Sequence, residues 1–230
     1  MSSQLPLPVG LRDGNTLETF LPLANPEAHA AVSALLAGTE PFVYLWGPPD
    51  SGRSHLLEAA ADAAARCGMP PVYLAAAPLR EAGTEALAAM VAGGAVICVD
   101  DIDSFAGDAS WEEAFFHMFN AARAGGARLL VSARGPASSA GFALADLRSR
   151  LGSGLTIGMG GLDDALRLAI LQFRATRRGL ELPDAVGQFL LARNSRRLAD
   201  LIALLAVLDR AAMVHKRRLT VPFVRQVLGA

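Results

Sequence analysis

The sequence predicts an α/β fold, a parallel sheet with helices on both faces, followed by a smaller all-helical domain. Three observations carry this. Apolar runs of strand length alternate with helical stretches as far as Ile157, the pattern of strands buried on both faces. After Gly158-Met159-Gly160-Gly161 the strands stop and only helical patterns follow. The charge changes sign at about the same place. Residues 1–150 hold 9 Lys+Arg against 16 Asp+Glu, a net of -7, and residues 151–230 hold 12 against 6, a net of +6. A tail over 1–14, an α/β domain over 15–160 and a helical domain over 161–230 follow. Their opposite charge predicts that the two domains face each other, or that an anion sits between them.

The tail has no hydrophobic period and is rich in Pro and Gly, so it reads as flexible. Asn25-Pro26-Glu27 reads as an N-cap, a proline at the first helical position and an acid for the helix dipole. A helix should run from there to about Ala37. Phe42 to Trp46 is the first strand, and a helix from Ser54 to about Arg66 follows a loop rich in Gly and Pro. Val72 to Leu74 is the second strand and Thr84 to Val91 a helix. Ala95 to Val99 is the third strand, and Asp100, Asp101 and Asp103 follow it. Ser110 and Glu113 have capping-box spacing at the start of a helix that runs to about Ala124. It sets Trp111, Phe115, Met118, Phe119 and Ala122 on one face. Arg128 to Val131 is the fourth strand, Ala143 to Leu151 a helix and Leu155 to Ile157 the fifth strand. Leu162–Arg178, Asp184–Arg193, Arg196–Met213 and Val221–Leu228 are the helices of the second domain, with Gly179 and Pro183 separating the first two.

Composition narrows the function classes. In 230 residues, 52% are apolar and 19% charged, which excludes disorder over most of the chain. A net charge of -1 excludes a strongly basic nucleic-acid coat. Two cysteines exclude a disulfide scaffold, and Cys98, inside an apolar run, reads as a buried thiol. There is no basic region leading into an apolar stretch at the N-terminus. The longest apolar run, Ala86 to Val99, is shorter than the roughly 20 residues a membrane span needs. The chain therefore reads as soluble and cytoplasmic. Arginine accounts for all the Lys+Arg except Lys216.

The strongest motif is Gly47-Pro48-Pro49-Asp50-Ser51-Gly52-Arg53-Ser54, Gly-x4-Gly-Arg-Ser between a strand and a helix. The phosphate-binding loop needs glycines where the backbone folds around an oxyanion, with N–H groups and the next helix N-terminus facing the phosphates. Its usual lysine neutralises the outer phosphates and its hydroxyl holds magnesium. Arg53 replaces that lysine, and the chain's bias toward arginine is a competing explanation. Arginine is a planar fork where lysine is a point charge, so nucleotide binding should survive and turnover should be poor. Asp100, Asp101 and Asp103 are either a solvated acidic loop or, as the phosphate loop favours, a site in which Asp100, at the end of a buried strand, is placed to hold magnesium and Asp101 stands where many such ATPases carry a catalytic glutamate. Arg148 and Arg150 either satisfy a helix C-terminus or reach a neighbour's phosphate. Arg196, in Arg193–Asp200, either faces solvent or turns toward the nucleotide. Gln4-Leu5-Pro6-Leu7-Pro8 is either a frayed tail or an extended segment whose leucines enter a partner's apolar groove. The histidines show no ligand spacing, so no zinc site is expected.

These residues together resemble the AAA+ family, and within it the DnaA-related regulators of replication initiation. The resemblance runs over nearly the whole chain, from Gln4–Pro8 and Leu11-Arg12-Asp13, through Tyr44 to Leu57 and Asp100-Asp101-Ile102, to Leu147–Leu151, Leu182-Pro183 and Val221–Val224. It implies that Gly47 to His55 contact ADP or ATP, with Arg53 and Ser54 as the Walker A pair and Asp100 as Walker B. Ser54 and Asp100 would hold Mg2+ with the nucleotide. Ser132 falls at the first sensor position, Arg196 looks like the lid sensor arginine and Arg150 like an arginine finger offered to a partner's ATP. Gln4–Pro8 looks like a motif for the DNA polymerase III sliding clamp (its β subunit). DnaA would be the second partner and DNA would be met only through the clamp, with self-association left open. Because DnaA continues into a DNA-binding domain, the end of this chain at Ala230 leaves the expectation of a regulator without one. The implied function is promotion of ATP hydrolysis on DnaA by a regulator that is not itself the enzyme. Two alternatives stay open: an autonomous P-loop ATPase that remodels or loads a replication protein, and a tether with a vestigial nucleotide site.

Overall fold

The five apolar runs become five parallel strands: β1 (Phe42–Trp46), β2 (Pro71–Ala75), β3 (Val96–Asp100), β4 (Arg128–Ala133) and β5 (Leu155–Gly158), in the order β2-β3-β4-β1-β5. A computed structural model describes residues 14–229. The predicted clamp motif Gln4–Pro8 and Leu11–Asp13 lie outside the described residues. Among the described residues no helix is long and apolar enough to cross a membrane.

The three central strands β3, β4 and β1 have two buried faces because side chains alternate, whereas the edge strands β2 and β5 are only partly covered. Phe42, Tyr44, Ile97, Val99, Leu129 and Val131 face one layer. That layer is α3 (Ala76–Ala82), α4 (Thr84–Val91), α5 (Ala109–Ala124) and α6 (Ala145–Leu151). Val43, Leu45, Val96, Cys98 and Leu130 face α1 (Pro26–Ala37) and α2 (Arg53–Arg66) on the other side. The five residues expected on one face of α5 are all buried. Cys98 is fully buried, and burial, then the charge of Asp100, pushes its thiol well above the usual range.

The chain divides into two compact units between Gly160 and Gly161. The second contains α7 (Asp164–Arg177), α8 (Asp184–Arg193), α9 (Leu198–His215) and α10 (Val221–Leu228) around Leu171, Leu190, Leu201, Leu205, Leu208 and Phe223.

Four expectations are corrected. α5 is capped by Asp108 rather than by the Ser110–Glu113 box: its carboxylate accepts the N–H of Ser110 (3.2 Å) and Trp111 (3.4 Å), and a carboxylate suits the helix dipole. Asn25 precedes α1 but does not cap it, because its side chain is engaged elsewhere. Arg196 is not the start of α9, which begins at Leu198 and continues past Met213 to His215. Finally, α3 was not expected. Its Pro78 sits at the third helical position, inside the first turn where no backbone N–H is needed.

Candidate functional site

The site forms where β1 and β3 end. Gly47 to Gly52 turn the chain from β1 into α2, with Pro48 and Pro49 exposed on the outside of the turn. Two glycines are sterically required. A Cβ on Gly47 would lie 2.6 Å from the Met159 carbonyl oxygen, and one on Gly52 (φ +97) 2.9 Å from the Phe20 ring. Asp50 also adopts a left-handed backbone (φ +62), which aspartate tolerates better than most residues. Ser51 Oγ and Arg53 Nε are buried, with no hydrogen-bond partner among the described residues. Two orphaned donors beside a helix N-terminus are a cradle that an oxyanion would satisfy, so the residues fit a nucleotide's phosphates.

The acids after β3 are held from several directions. Asp100 is 7% exposed; it accepts from the Ser132 hydroxyl at Oδ1 and from the Tyr73 phenol at Oδ2 (2.9 Å). Ser132 Oγ in turn accepts the Asp101 N–H (2.9 Å). Burial first, then the charge of Asp100 and its hydrogen bond, raises the Tyr73 phenol far above the usual tyrosine range. Asp101 has a left-handed backbone (φ +52), and its Oδ1 lies 2.5 Å from Nη1 of Arg53. Arg53 itself is 7% exposed. The cation of the loop and the second acid after β3 therefore hold each other.

The remaining expected residues fall in three places. Ser54, in the first turn of α2, is half-buried and stays with the loop. His55 turns away from the loop, its Nε2 3.0 Å from the Thr16 carbonyl and its ring edge-on to Phe20. It helps hold the 3-10 turn Leu17–Thr19 against α2, as does Asn15, which donates to buried Glu58 (2.8 Å). Arg150 lies in the last turn of α6, exposed, and among the described residues no hydrogen bond or ion pair engages its guanidinium. Arg196, 71% exposed, lies within the second unit near Asp164 (3.4 Å).

Sequence reasoning missed three residues. Tyr73 was read only as part of a strand. Asn25, buried, donates to the Ser51 carbonyl (3.1 Å) and accepts the Gly160 N–H (2.7 Å), linking the phosphate loop to the last residue of its unit. Glu112 on α5 is 1% exposed and accepts the N–H groups of Gly107 (2.7 Å), Ala143 (3.0 Å) and Leu144 (2.6 Å). Burial pushes its carboxyl up, but these three N–H groups and the Arg148 charge outweigh that and hold it below the usual range. Arg148 caps the same segment, donating to the Phe142 carbonyl (2.6 Å). Together they brace the entry to α6. Its Glu112-Glu113 context offered no signal, since one partner is buried and the other exposed.

The model of the bacterial DnaA ATPase domain matches residues 11–158, and that of the Hda lid domain matches residues 164–228. The chain belongs to the DnaA family of AAA+ proteins. Solved structures agree on the fold. A replication initiator DnaA bound to AMPPCP and single-stranded DNA is 23% identical with a TM-score of 0.72, covering 90% of this chain and 70% of that one. Domain III of the Thermotoga maritima initiation protein DnaA is 17% identical with a TM-score of 0.73, covering 94% and 95%. The Thermotoga maritima branch-migration motor RuvB superposes less well, with a TM-score of 0.63 at 19% identity, covering 90% and 67%. The DnaA-family ATPase domain followed by an Hda-type lid connects the protein with replication initiation.

Proposed function

We propose that this protein is an ADP-binding regulator of replication initiation that promotes hydrolysis of the ATP carried by DnaA. The observation that carries this is the pairing of Arg53 with Asp101. The acid that would activate water for the protein's own nucleotide is held by a buried cation, while Asp100 is held by Ser132 and Tyr73. Such a site is built to bind rather than to turn over. The loop, Arg53 and Ser51 hold the phosphates, and Ser54 and Asp100 hold the Mg2+ that comes with them. Arg196 would contact the nucleotide from the lid.

Arg150 is the group that acts on the partner. Its exposed guanidinium stands at the end of a helix braced at its start, free to approach a second nucleotide. A guanidinium there would favour the spread charge of the transferring phosphoryl group over its ground state. Gln4–Pro8 would dock on the sliding clamp and so bring the protein to DNA.

The test is single-turnover hydrolysis of labelled ATP on DnaA, with DNA-loaded clamp and this protein present. Unmodified protein should stimulate it, and a chain beginning at Gly10 should lose clamp binding and stimulation with an unchanged melting temperature. Steady-state ATP turnover by the isolated protein at the rate of a working ATPase would overturn the reading in favour of an autonomous enzyme. The match to an ATPase domain makes that second reading worth the measurement.

A further inference from the structure

We propose that Asp101 sets the site's preference for a nucleoside diphosphate over a triphosphate by occupying Arg53. The inference rests on the reading of Gly47–Ser54 as a nucleotide's phosphate site and goes beyond it in assigning the discrimination to one residue.

Arg53 takes the position from which the loop's cation reaches the outer phosphates. Its Nη1 is already 2.5 Å from Asp101 Oδ1. The backbone fixes the carboxylate in that place. Asp101 is in the left-handed region, its N–H is bound by Ser132 Oγ, and its carbonyl accepts the Ser104 N–H (3.0 Å) as the 3-10 turn Ile102–Phe105 begins. A third phosphate brings more negative charge to a cation that this carboxylate already neutralises, and brings it close to the carboxylate. Either the ion pair breaks and Asp101 is left beside the γ-phosphate without its partner, or the γ-phosphate goes without its cation. A diphosphate meets neither difficulty to the same degree.

The exchange of lysine for arginine fits this division of labour. A guanidinium has several donors in a fixed fork, whereas an ammonium is one compact charge. Nη1 serves Asp101 while Nε, buried and without a partner among the described residues, remains for a diphosphate together with Ser51 Oγ. A lysine at 53 would have to choose.

The experiment is calorimetric titration of the full chain with ADP and, separately, with AMPPCP, each with Mg2+. The quantity read is the ratio of the two dissociation constants. Asp101→Asn removes the charge while keeping a side chain that accepts the left-handed backbone. It should lower the AMPPCP-to-ADP ratio about tenfold, the scale of one charge-assisted hydrogen bond. Asp101→Glu, which keeps the charge, should retain most of the discrimination. Asp101→Gly, the conformationally safest replacement, should behave like Asp101→Asn. Ratios unchanged in both Asn and Gly variants, with both ligands still bound, would overturn the assignment of Asp101 and leave the nucleotide site standing. Binding of neither ligand by the unmodified chain would overturn the site reading and this inference with it.

Discussion

At the phosphate loop a buried arginine faces a half-buried acid; at α6 the exposed charge is Arg150, while the carboxylate that braces the helix is buried. Arg53 is 7% exposed and bound to Asp101, and Asp100 is enclosed by two hydroxyls. Arg150 is exposed, and the start of its helix is held by buried Glu112, which accepts the N–H groups of Ala143 and Leu144 there and that of Gly107 ahead of α5. Under the function proposed above, the difference separates two tasks. A ligand bound in its own pocket is best met by desolvated donors that are already fixed, because charge-assisted hydrogen bonds gain strength away from water. A group that must act on another protein has to stay accessible, so its precision comes from the element that carries it.

Variants at the two ends should break the molecule differently. The largest effect is expected from Arg150→Ala. Stimulation of DnaA-bound ATP hydrolysis should fall by roughly 10³-fold or more in single-turnover assays, with ADP affinity unchanged. Arg148→Ala should do less, because its guanidinium is committed to the Phe142 and Ala143 carbonyls. Equal losses would mean that α6 acts only as a folded unit. Arg53→Ala should weaken ADP binding about 100-fold, the scale of a charge-assisted contact to phosphate, as read by calorimetry. Glu112→Ala should cost about 3 kcal/mol in chemical denaturation, because three backbone donors lose a buried acceptor. It should lower stimulation while sparing ADP binding. Tyr73→Phe, removing one hydrogen bond to Asp100, should cost about 1.5 kcal/mol and leave stimulation intact.

The smallest effect concerns acid. The carboxyl of Glu18 is lowered to about 2 by its own backbone N–H, the Thr16 hydroxyl and Arg66. A lowered carboxyl stabilises the fold above its unfolded pKa of about 4.3, and that contribution is lost as pH falls toward 2. Glu18→Gln should flatten the melting temperature over that window, lowering it slightly at pH 7 and leaving it unchanged near pH 2.

The strands were legible because a sheet buried on both faces leaves continuous apolar runs, and the phosphate loop because its glycines are required by close approach. What stayed hidden depends on residues distant in sequence. Tyr73 meets Asp100 across adjacent strands, Glu112 reaches Ala143 and Leu144 from another helix, and Asn25 reaches Gly160 across the length of the unit. No local spacing announces such pairs. The contact between Arg53 and Asp101 was hidden for another reason: each residue already had a reading that pointed it at the nucleotide. Asp108 displaced Ser110 as the cap because two acceptors were close enough to compete and the charged one suits the dipole.

Asn15 bonded to Glu58 and the turn at Leu17–Thr19 set against His55 fasten the incoming chain to α2, the helix that opens at the phosphate loop. That fastening fixes the point at which residues 1–13 join the domain. Asn15 is only seven residue steps from Pro8, and fully extended they would span at most about 25 Å. A clamp gripping Gln4–Pro8 would therefore hold the nucleotide domain within that radius of its own surface. The volume that Arg150 has to search for its target would shrink accordingly, and lengthening the segment between Pro8 and Asn15 should dilute stimulation while leaving clamp affinity as it was.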